Sequence, residues 1–326
     1  MKNIVLGLFA LLILVSCNDT KEEKQAILPI SNGKINNVSI IIDDNLWAGE
    51  IGDSLRKKFA SPVDGLPNEE PIFTINQYPI KIFNGFVRKS RNVIVVQKGP
   101  KTGYAFNKNE FAKPQNVHYI SGEKTIDVLT VLESKYQAIV KQIKTAEITE
   151  RQRRIAKSPA SDKQVRDRFG ISLNLPFGYK YDMVKDNFLW IRREFSSGYN
   201  SILVYEVPLE AFSNKEFPVS DVIKMRDSIG KENIQGTLPN TWMVTEAAYA
   251  PYIFTDTIKG RFTYETKGTW ELKNDFMVGP FINYAIKDVR NNRYLVLEGF
   301  TYNPSKSKRD LVFELEAIIR SVKFLK

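Results

Sequence analysis

The sequence predicts an α+β fold: largely antiparallel sheets with flanking helices, in two α+β halves joined after a long helix. Three observations predict it. Short runs rich in Val, Ile, Phe and Tyr follow one another through the second half with turn residues between them, the pattern of neighbouring antiparallel strands rather than of strand–helix alternation. Helical spacing of apolar residues is confined to a few bounded segments. One stretch, 125–156, runs without Gly or Pro and carries an apolar stripe at Ile126, Leu129, Leu132, Tyr136, Ile139 and Ile143.

The elements follow in order. Val38–Ile42 is a compact β-rich run, and Leu46–Phe59 has apolar residues at helical spacing, with Asp43, Asp44 or Asn45 placed to cap its first turn. The segment 61–67, with Pro62, Gly65 and Pro67, breaks the chain. A short strand is expected over Pro71–Tyr78, and Asn92–Gln97 is the clearest buried strand of this half. Asn116–Ile120 is a short strand-like run. The long helix then spans about 45 Å at 1.5 Å per residue, turns basic at Arg151, Arg153 and Arg154, and stops at Ser158-Pro159. In the second half, strands are expected over 169–176, Phe188–Phe195, Ser201–Val207, Trp242–Val244, Gly260–Glu265, Gly268–Lys273, Phe281–Asp288 and Tyr294–Tyr302. Asn291-Asn292 marks the last hairpin. Helices are expected over Val219–Ile229 and Asp310–Val322. The domain organisation read this way is 37–157 and 165–326.

Ahead of the first strand lie Met1-Lys2-Asn3, an apolar run Ile4–Val15 and then Ser16-Cys17. A short positive start, a core of about a dozen apolar residues and a small residue before the cut make a secretory signal, 1–16. Leu14-Val15-Ser16-Cys17 resembles the lipobox of bacterial lipoproteins. That resemblance implies cleavage before Cys17 and lipid (palmitate among its acyl chains) on its sulfur. Cys17 is the one cysteine of the chain, and an exported protein with a lone thiol needs a use for it. Residues 17–36 then read as a flexible, lipid-anchored tether. The expected location is the cell envelope, anchored in the outer membrane. Lys21-Glu22-Glu23 resembles a surface-export signal, which leaves the periplasmic and the outward face both open.

Composition narrows the partners. A net charge of +10 and a pI near 9.4 would suit nucleic acid in a cytosolic protein; the export signal argues against it. Anionic membrane surface, lipopolysaccharide or acidic glycan are the partners compatible with the charge, the basic stretch from Arg151 to Arg168 being the place for an anionic surface; membrane reached through the anchor and an envelope protein or glycan are the partners expected. Catalytic groups are few. His118 is the single histidine, so a site built from two or three histidines cannot form within one chain. There is no Gly-x-Ser-x-Gly elbow, phosphate loop or dinucleotide fingerprint, and neither metal nor cofactor is expected.

Carboxylates remain. Asp43 and Asp44 stand where a strand gives way to a helix, a place for catalytic acids and equally for helix caps. Glu70, beside Glu69, lies in the proline-bounded loop, where acids are usually only solvated. A glycosidase needs two carboxyls facing across a sugar, and Asp43 with Glu70 or Glu271 would supply the number, though nothing in the sequence places them together. Trp47, Trp270, Phe276 and Phe281 are the aromatic candidates for ligand contact. Gly279-Pro280 between the two phenylalanines is expected to turn the chain.

The runs Ile42-Asp43-Asp44-Asn45-Leu46-Trp47-Ala48-Gly49-Glu50, Gly65-Leu66-Pro67-Asn68-Glu69-Glu70-Pro71-Ile72-Phe73, Gly268-Thr269-Trp270-Glu271-Leu272, Phe276-Met277-Val278-Gly279-Pro280-Phe281 and Glu298-Gly299-Phe300-Thr301-Tyr302-Asn303-Pro304 together resemble a family of predicted Bacteroidota lipoproteins, domain of unknown function 4837. The likeness spans nearly all of the mature chain and implies no catalytic residue, because the family has no assigned activity. The order of elements in the second half is also similar to small α+β modules of the PsbP type, which carries no function with it. The expectation is a non-enzymatic envelope lipoprotein that binds a protein or glycan, with a carboxylate-based hydrolase acting on envelope glycan as the alternative.

Overall fold

A computed structural model describes residues 27–212 and 218–325; Cys17 and the signal lie outside the described residues. The fold is α+β. The first half is built from β1 (Asn37–Ile41), α1 (Asp44–Trp47), α2 (Glu50–Phe59), β2 (Thr74–Tyr78), α3 (Gly85–Arg88), β3 (Asn92–Lys98), β4 (Gly103–Lys108), β5 (Asn116–Gly122) and α4 (Thr125–Ile155). Its sheet has the order β2-β1-β3-β5-β4. The β1–β2, β1–β3 and β3–β5 pairs are parallel and β4–β5 is antiparallel. Parallel neighbours need crossover connections, which the segments holding α1–α2 and α3 provide around β1, while β3 reaches β5 by way of the edge strand β4. A sheet covered on both faces explains why Val93–Val96 is an unbroken apolar run rather than an alternating one. Val38, Ile40, Ile94, Val96 and Ile120 pack under α2 and α4, while Ile41, Val93, Val95 and Val117 face Phe83 and Phe111.

The second half comprises α5 (Lys163–Phe169), β6 (Ile171–Ser172), β7 (Lys180–Val184), β8 (Phe188–Phe195), β9 (Gly198–Pro208), α6 (Pro218–Asn233), β10 (Met243–Thr245), β11 (Tyr252–Ile258), β12 (Arg261–Leu272), β13 (Val278–Asp288), β14 (Arg293–Tyr302), α7 (Arg309–Ile319) and β15 (Lys323–Phe324). Its main sheet runs β10-β12-β13-β14-β9-β8-β7, with β11 added on β12. Every pair is antiparallel. On one face Ile202, Val204, Tyr284, Leu295 and Leu297 pack against Leu315, Ile318 and Ile319 of α7. On the other, Leu203, Tyr205, Val296 and Phe300 share a core with Val222 and Met225 of α6.

Several elements differ from the sequence reading, each for a local reason. The run 169–176 is no long strand. Phe169 ends α5, Gly170 takes the left-handed conformation as its C-cap, and only Ile171–Ser172 pairs, with β15. Gly260–Glu265 and Gly268–Lys273 are parts of one strand, β12. Gly268 lies opposite Phe281, whose ring occupies the space a Cβ would need. Gly279-Pro280 is not a turn but the start of β13. A Cβ on Gly279 would lie 2.1 Å from the carbonyl oxygen of Thr301, so glycine is needed there for strand approach. The turn sits upstream, where Asn274 has φ +62°.

The halves meet through the loop 61–73. Gly65, at φ +81°, presses on Lys267 and Gly268, leaving 2.8 Å between a built Cβ and the Lys267 Cβ. Leu66 packs on the second-half core. Gln152 of α4 donates to the carbonyl of Ala317 in α7 at 2.9 Å, and Glu314 of α7 is paired with Arg151 of α4 and, at 2.6 Å, with Arg193 of β8.

Candidate binding cleft between the halves

Where the loop 61–73, α4 and α7 converge on the paired Lys267 and Ile282 in the middle of β12 and β13 they leave a cleft of about 690 Å³. Its walls are apolar: Ile72, Phe73 and Val140 from the first half face Ile282, Val312 and Phe313 from the second. Lys144, Lys267 and Arg309 bring positive charge to it, and Asp64, Glu69 and Glu316 bring negative charge.

Helix periodicity puts Val312, Phe313 and Glu316 of α7 on the side that meets α4. Glu316, 4% exposed, receives Lys144 Nζ at 3.0 Å and Arg320 Nε at 2.8 Å. Burial alone would raise its pKa. Lys144, Arg320 and Lys267 outweigh that and hold the carboxyl well below the usual carboxylate range. Lys267 pairs with Glu265 at 2.9 Å. Burial opposes its charge, but Glu265 and Glu316 prevail and keep its pKa above the ordinary lysine value. Both groups are therefore permanently charged at neutral pH and already engaged.

Asn36 is different. It sits at the mouth of β1 in the left-handed conformation, φ +59°, which asparagine tolerates better than most residues. Its backbone N–H donates to Glu147 Oε2 at 2.8 Å and its side-chain Nδ2 donates to Asp310 Oδ1 at 3.0 Å. That fixes the amide across the two halves. The residue is 1% exposed, lines the cleft, and its Oδ1 has no hydrogen-bond partner. A buried acceptor without a donor costs about 1–3 kcal/mol, so this atom is the one in the cleft wall that a ligand donor would satisfy.

The sequence candidates fall elsewhere. Glu70 is not a solvated loop acid: its Oε1 accepts from the Lys308 N–H at 2.7 Å and its Oε2 from the Arg309 N–H at 2.9 Å. It caps the N-terminus of α7 from the other half. Asp43 precedes α1 without capping it through its side chain, and Asp44 Oδ1 accepts from Gln77 Nε2 at 3.0 Å. Both line a separate open depression with Pro79, Lys81 and Lys98, which shares no residue with the cleft.

Trp270 and Phe281 are core residues. Trp270 Nε1 donates to the Thr301 carbonyl at 3.3 Å, and the Phe281 ring lies 3.4 Å beneath the Arg226 guanidinium; both are packed in the second-half core and neither lines the cleft. Trp47 is half-buried under Arg56. Phe276 alone is fully exposed, 100%, at the turn. His118 is buried, 3.0 Å from the Tyr104 hydroxyl and stacked against Phe106, and burial lowers its pKa to about 4.

Sequence reasoning missed Asn36 and the buried pair of Arg226 with Glu298 (2.7 Å) beneath α6. Glu298 there also accepts from Asn283 at 2.7 Å. The alternation of β14 held a signal for that pair, since Glu298 falls in an otherwise apolar strand. Nothing local marked Asn36. Among the described residues no cluster of three His, Cys, Asp or Glu side chains could hold a metal ion, and no helix is long and apolar enough to cross a membrane.

No curated protein matches the chain. Among solved structures, the Ran-binding protein Mog1p of Saccharomyces cerevisiae is similar at 13% identity and a TM-score of 0.30, over 48% of this chain and 91% of that one. Human StAR-related lipid transfer protein 5 is similar at 12% identity and a TM-score of 0.25, over 54% and 98%. At such scores neither bears on what this chain does. Residues 31–156 match a family model described as a domain of unknown function (DUF8532). The runs at 42–50 and 65–73 fall inside it, so the likeness expected over nearly the whole mature chain is narrower than the sequence suggested. A second model, matching residues 158–321 and thus half of the 326-residue chain, places the protein in the family described as domain of unknown function (DUF4837).

Proposed function

We propose that this is a non-enzymatic binding lipoprotein of the cell envelope whose ligand, a short envelope glycan or the polar end of an envelope protein, enters the cleft between the halves. The observation that carries the reading is Asn36 Oδ1, a buried acceptor without a partner in a wall shared by both halves. Apolar faces interrupted by a few fixed polar groups are what a binding site requires. Against hydrolysis, Asp43 and Asp44 share no cavity with Glu70, and Glu70 has both oxygens committed to α7.

The location is part of the same proposal. Cys17 carries the lipid and the outer membrane is the destination. Replacing Cys17 with Ser is expected to abolish labelling by radioactive palmitate and to release the protein from the membrane fraction. Persistence of both would end the anchored reading.

For the cleft, the chain from residue 17 carrying Cys17→Ser is titrated calorimetrically with solubilised cell-wall glycan fragments. Asn36→Gly keeps the left-handed backbone and removes the acceptor. Saturable binding that weakens at least about tenfold in this variant, the effect of roughly 1.4 kcal/mol, supports the reading. Absence of binding, or binding indifferent to Asn36→Gly, discards the glycan.

A further inference from the structure

The outer face of α4 carries a second cavity, a groove of about 760 Å³ between that helix and the β4–β5 edge. Phe106, Pro114, Ala138 and Ala146 give it an apolar lining, and Lys108, Lys113 and Lys141 stand around it as exposed cations. Among the described residues none of these three lysines is paired with a carboxylate. Of the groove's other charges, Arg91 is bound to Glu147 and Arg153 to Glu150. Glu150 is the sole acid in the lining, and it also holds Arg154. The free charge of the groove is therefore positive.

Its position in the molecule points to what covers it. The chain enters the body here: the Lys113 N–H donates to the Pro29 carbonyl at 2.9 Å, and the Ser31 N–H donates to the Lys113 carbonyl at 3.2 Å. Ile27 and Ile30, on this entering segment, are 98% and 79% exposed. Ile27 lies ten positions after Cys17, a reach of at most about 35 Å when fully extended. A lipid on Cys17 would thus keep the point of entry within that distance of the bilayer, and exposed Ile27, Ile30 and the unpaired Lys113 lie on or beside that point. Basic groups beside apolar side chains suit the headgroup boundary of an anionic leaflet.

We propose that this groove seats an anionic phospholipid of the membrane that holds the protein, with the lipid phosphate on Lys108, Lys113 and Lys141 and acyl carbon along Phe106, Pro114 and Ala138. The seat fixes the orientation of the body, α4 against the membrane. The argument for the occupant uses the anchored reading of Cys17; the test does not, because it is made on a chain without lipid.

The chain from residue 17 with Cys17→Ser is floated with vesicles of phosphatidylcholine alone and with vesicles containing about 30% phosphatidylglycerol. Binding is expected only to the anionic vesicles, falling as salt is raised from about 0.05 to 0.5 M. The triple variant Lys108→Gln, Lys113→Gln, Lys141→Gln is expected to lose about a hundredfold in vesicle affinity, each lysine near a membrane contributing about 1 kcal/mol. A matched triple, Lys180→Gln, Lys224→Gln, Lys287→Gln, removes the same charge from the second half and is expected to keep wild-type binding. Thermal melts of both triples establish that each is folded. Phosphate or glycerol phosphate at about ten times the accessible lipid concentration is expected not to compete, since neither brings an acyl chain. Equal losses in the two triples would mean diffuse attraction by net charge and would overturn the proposal. So would retained binding by the groove variant, absence of binding to anionic vesicles, or full competition by free phosphate.

Discussion

His118 is held neutral between Tyr104 and Phe106, with its pKa lowered from 6.5 to about 4 by burial. The unfolded chain therefore binds a proton that the folded chain refuses. Stability is at its full value above about pH 6.5 and declines as pH falls toward 4, by on the order of 3 kcal/mol in the limit. His118→Leu is expected to flatten the pH dependence of the urea midpoint across that window; an unchanged slope would show that other groups set it. The Arg226–Glu298 pair is bidentate, with Nε and Nη2 at 2.9 and 2.7 Å from the two carboxylate oxygens. Removing one partner strands the other, so Glu298→Gln or Arg226→Met alone is expected to cost about 3–5 kcal/mol, and the double variant less than the sum. Single-residue chemistry was partly open to sequence reading. The lone His118 was a poor catalyst by count, but burial of Trp270 and Phe281 depends on which face of a sheet α6 covers, and no spacing in the sequence states that.

Among elements, α7 shows how one acid organises a helix from a distance. Glu70 satisfies the N–H groups of Lys308 and Arg309, which its own helix cannot pair. Glu70→Gln keeps part of the hydrogen bonding and loses the charge facing the helix N-terminus, with an expected cost of about 0.3–1 kcal/mol. Glu70→Ala is expected to cost roughly 1–2 kcal/mol and to speed amide exchange at Lys308 and Arg309 selectively. Exchange that changes uniformly over α7 would deny the cap. Strands with internal periodicity, such as Phe188–Phe195, were legible to the residue, because alternation and unbroken apolar runs are local properties. Short edge strands were not: β4, β7 and β11 are half-exposed and mixed in composition, so no apolar run or clean alternation distinguishes them from loop. The direction of the first sheet was equally hidden, since parallel and antiparallel strands differ in what connects them and not in what composes them.

For the whole molecule, the interface between the halves decides cooperativity. Lys144–Glu316, Arg151–Glu314 and Asn36–Asp310 cross it, and Leu66 enters the second-half core. Unfolding is expected to follow one transition by fluorescence and by far-ultraviolet circular dichroism, and two separated transitions would show independent halves. Glu316 adds an acid limit. Its folded pKa lies below its unfolded value near 4.5, so its contribution is complete above that pH and is lost as pH falls further. The gap in urea midpoint between the wild type and Glu316→Gln is expected to be largest near about pH 6, to shrink below 4.5 and to close as pH falls through about 2. A gap independent of pH would place the effect in packing. The α+β class was readable from the clustering of strands. The cleft was not, because its walls come from segments some 270 residues apart, such as Asn36 and Arg309, which only the packing of α4 against α7 brings together.

The route by which the chain joins the body has a mechanical side. Tension on the segment ahead of residue 27 reaches the two backbone bonds at Lys113 first, then Asn32, which is bonded to the Lys89 carbonyl and the Arg91 N–H, then the Gly33 and Lys34 carbonyls held by Arg91, and only then Asn36, whose N–H is held by Glu147 and whose amide is held by Asp310. Glu147 in turn is clamped by Arg91 and Asn92. The load is thus taken up at the seam and in α4 before it meets the sheet of the second half. A pull on the segment ahead of residue 27 would therefore load the segment leading into β3 before it reached Asn36 and the wall of the cleft.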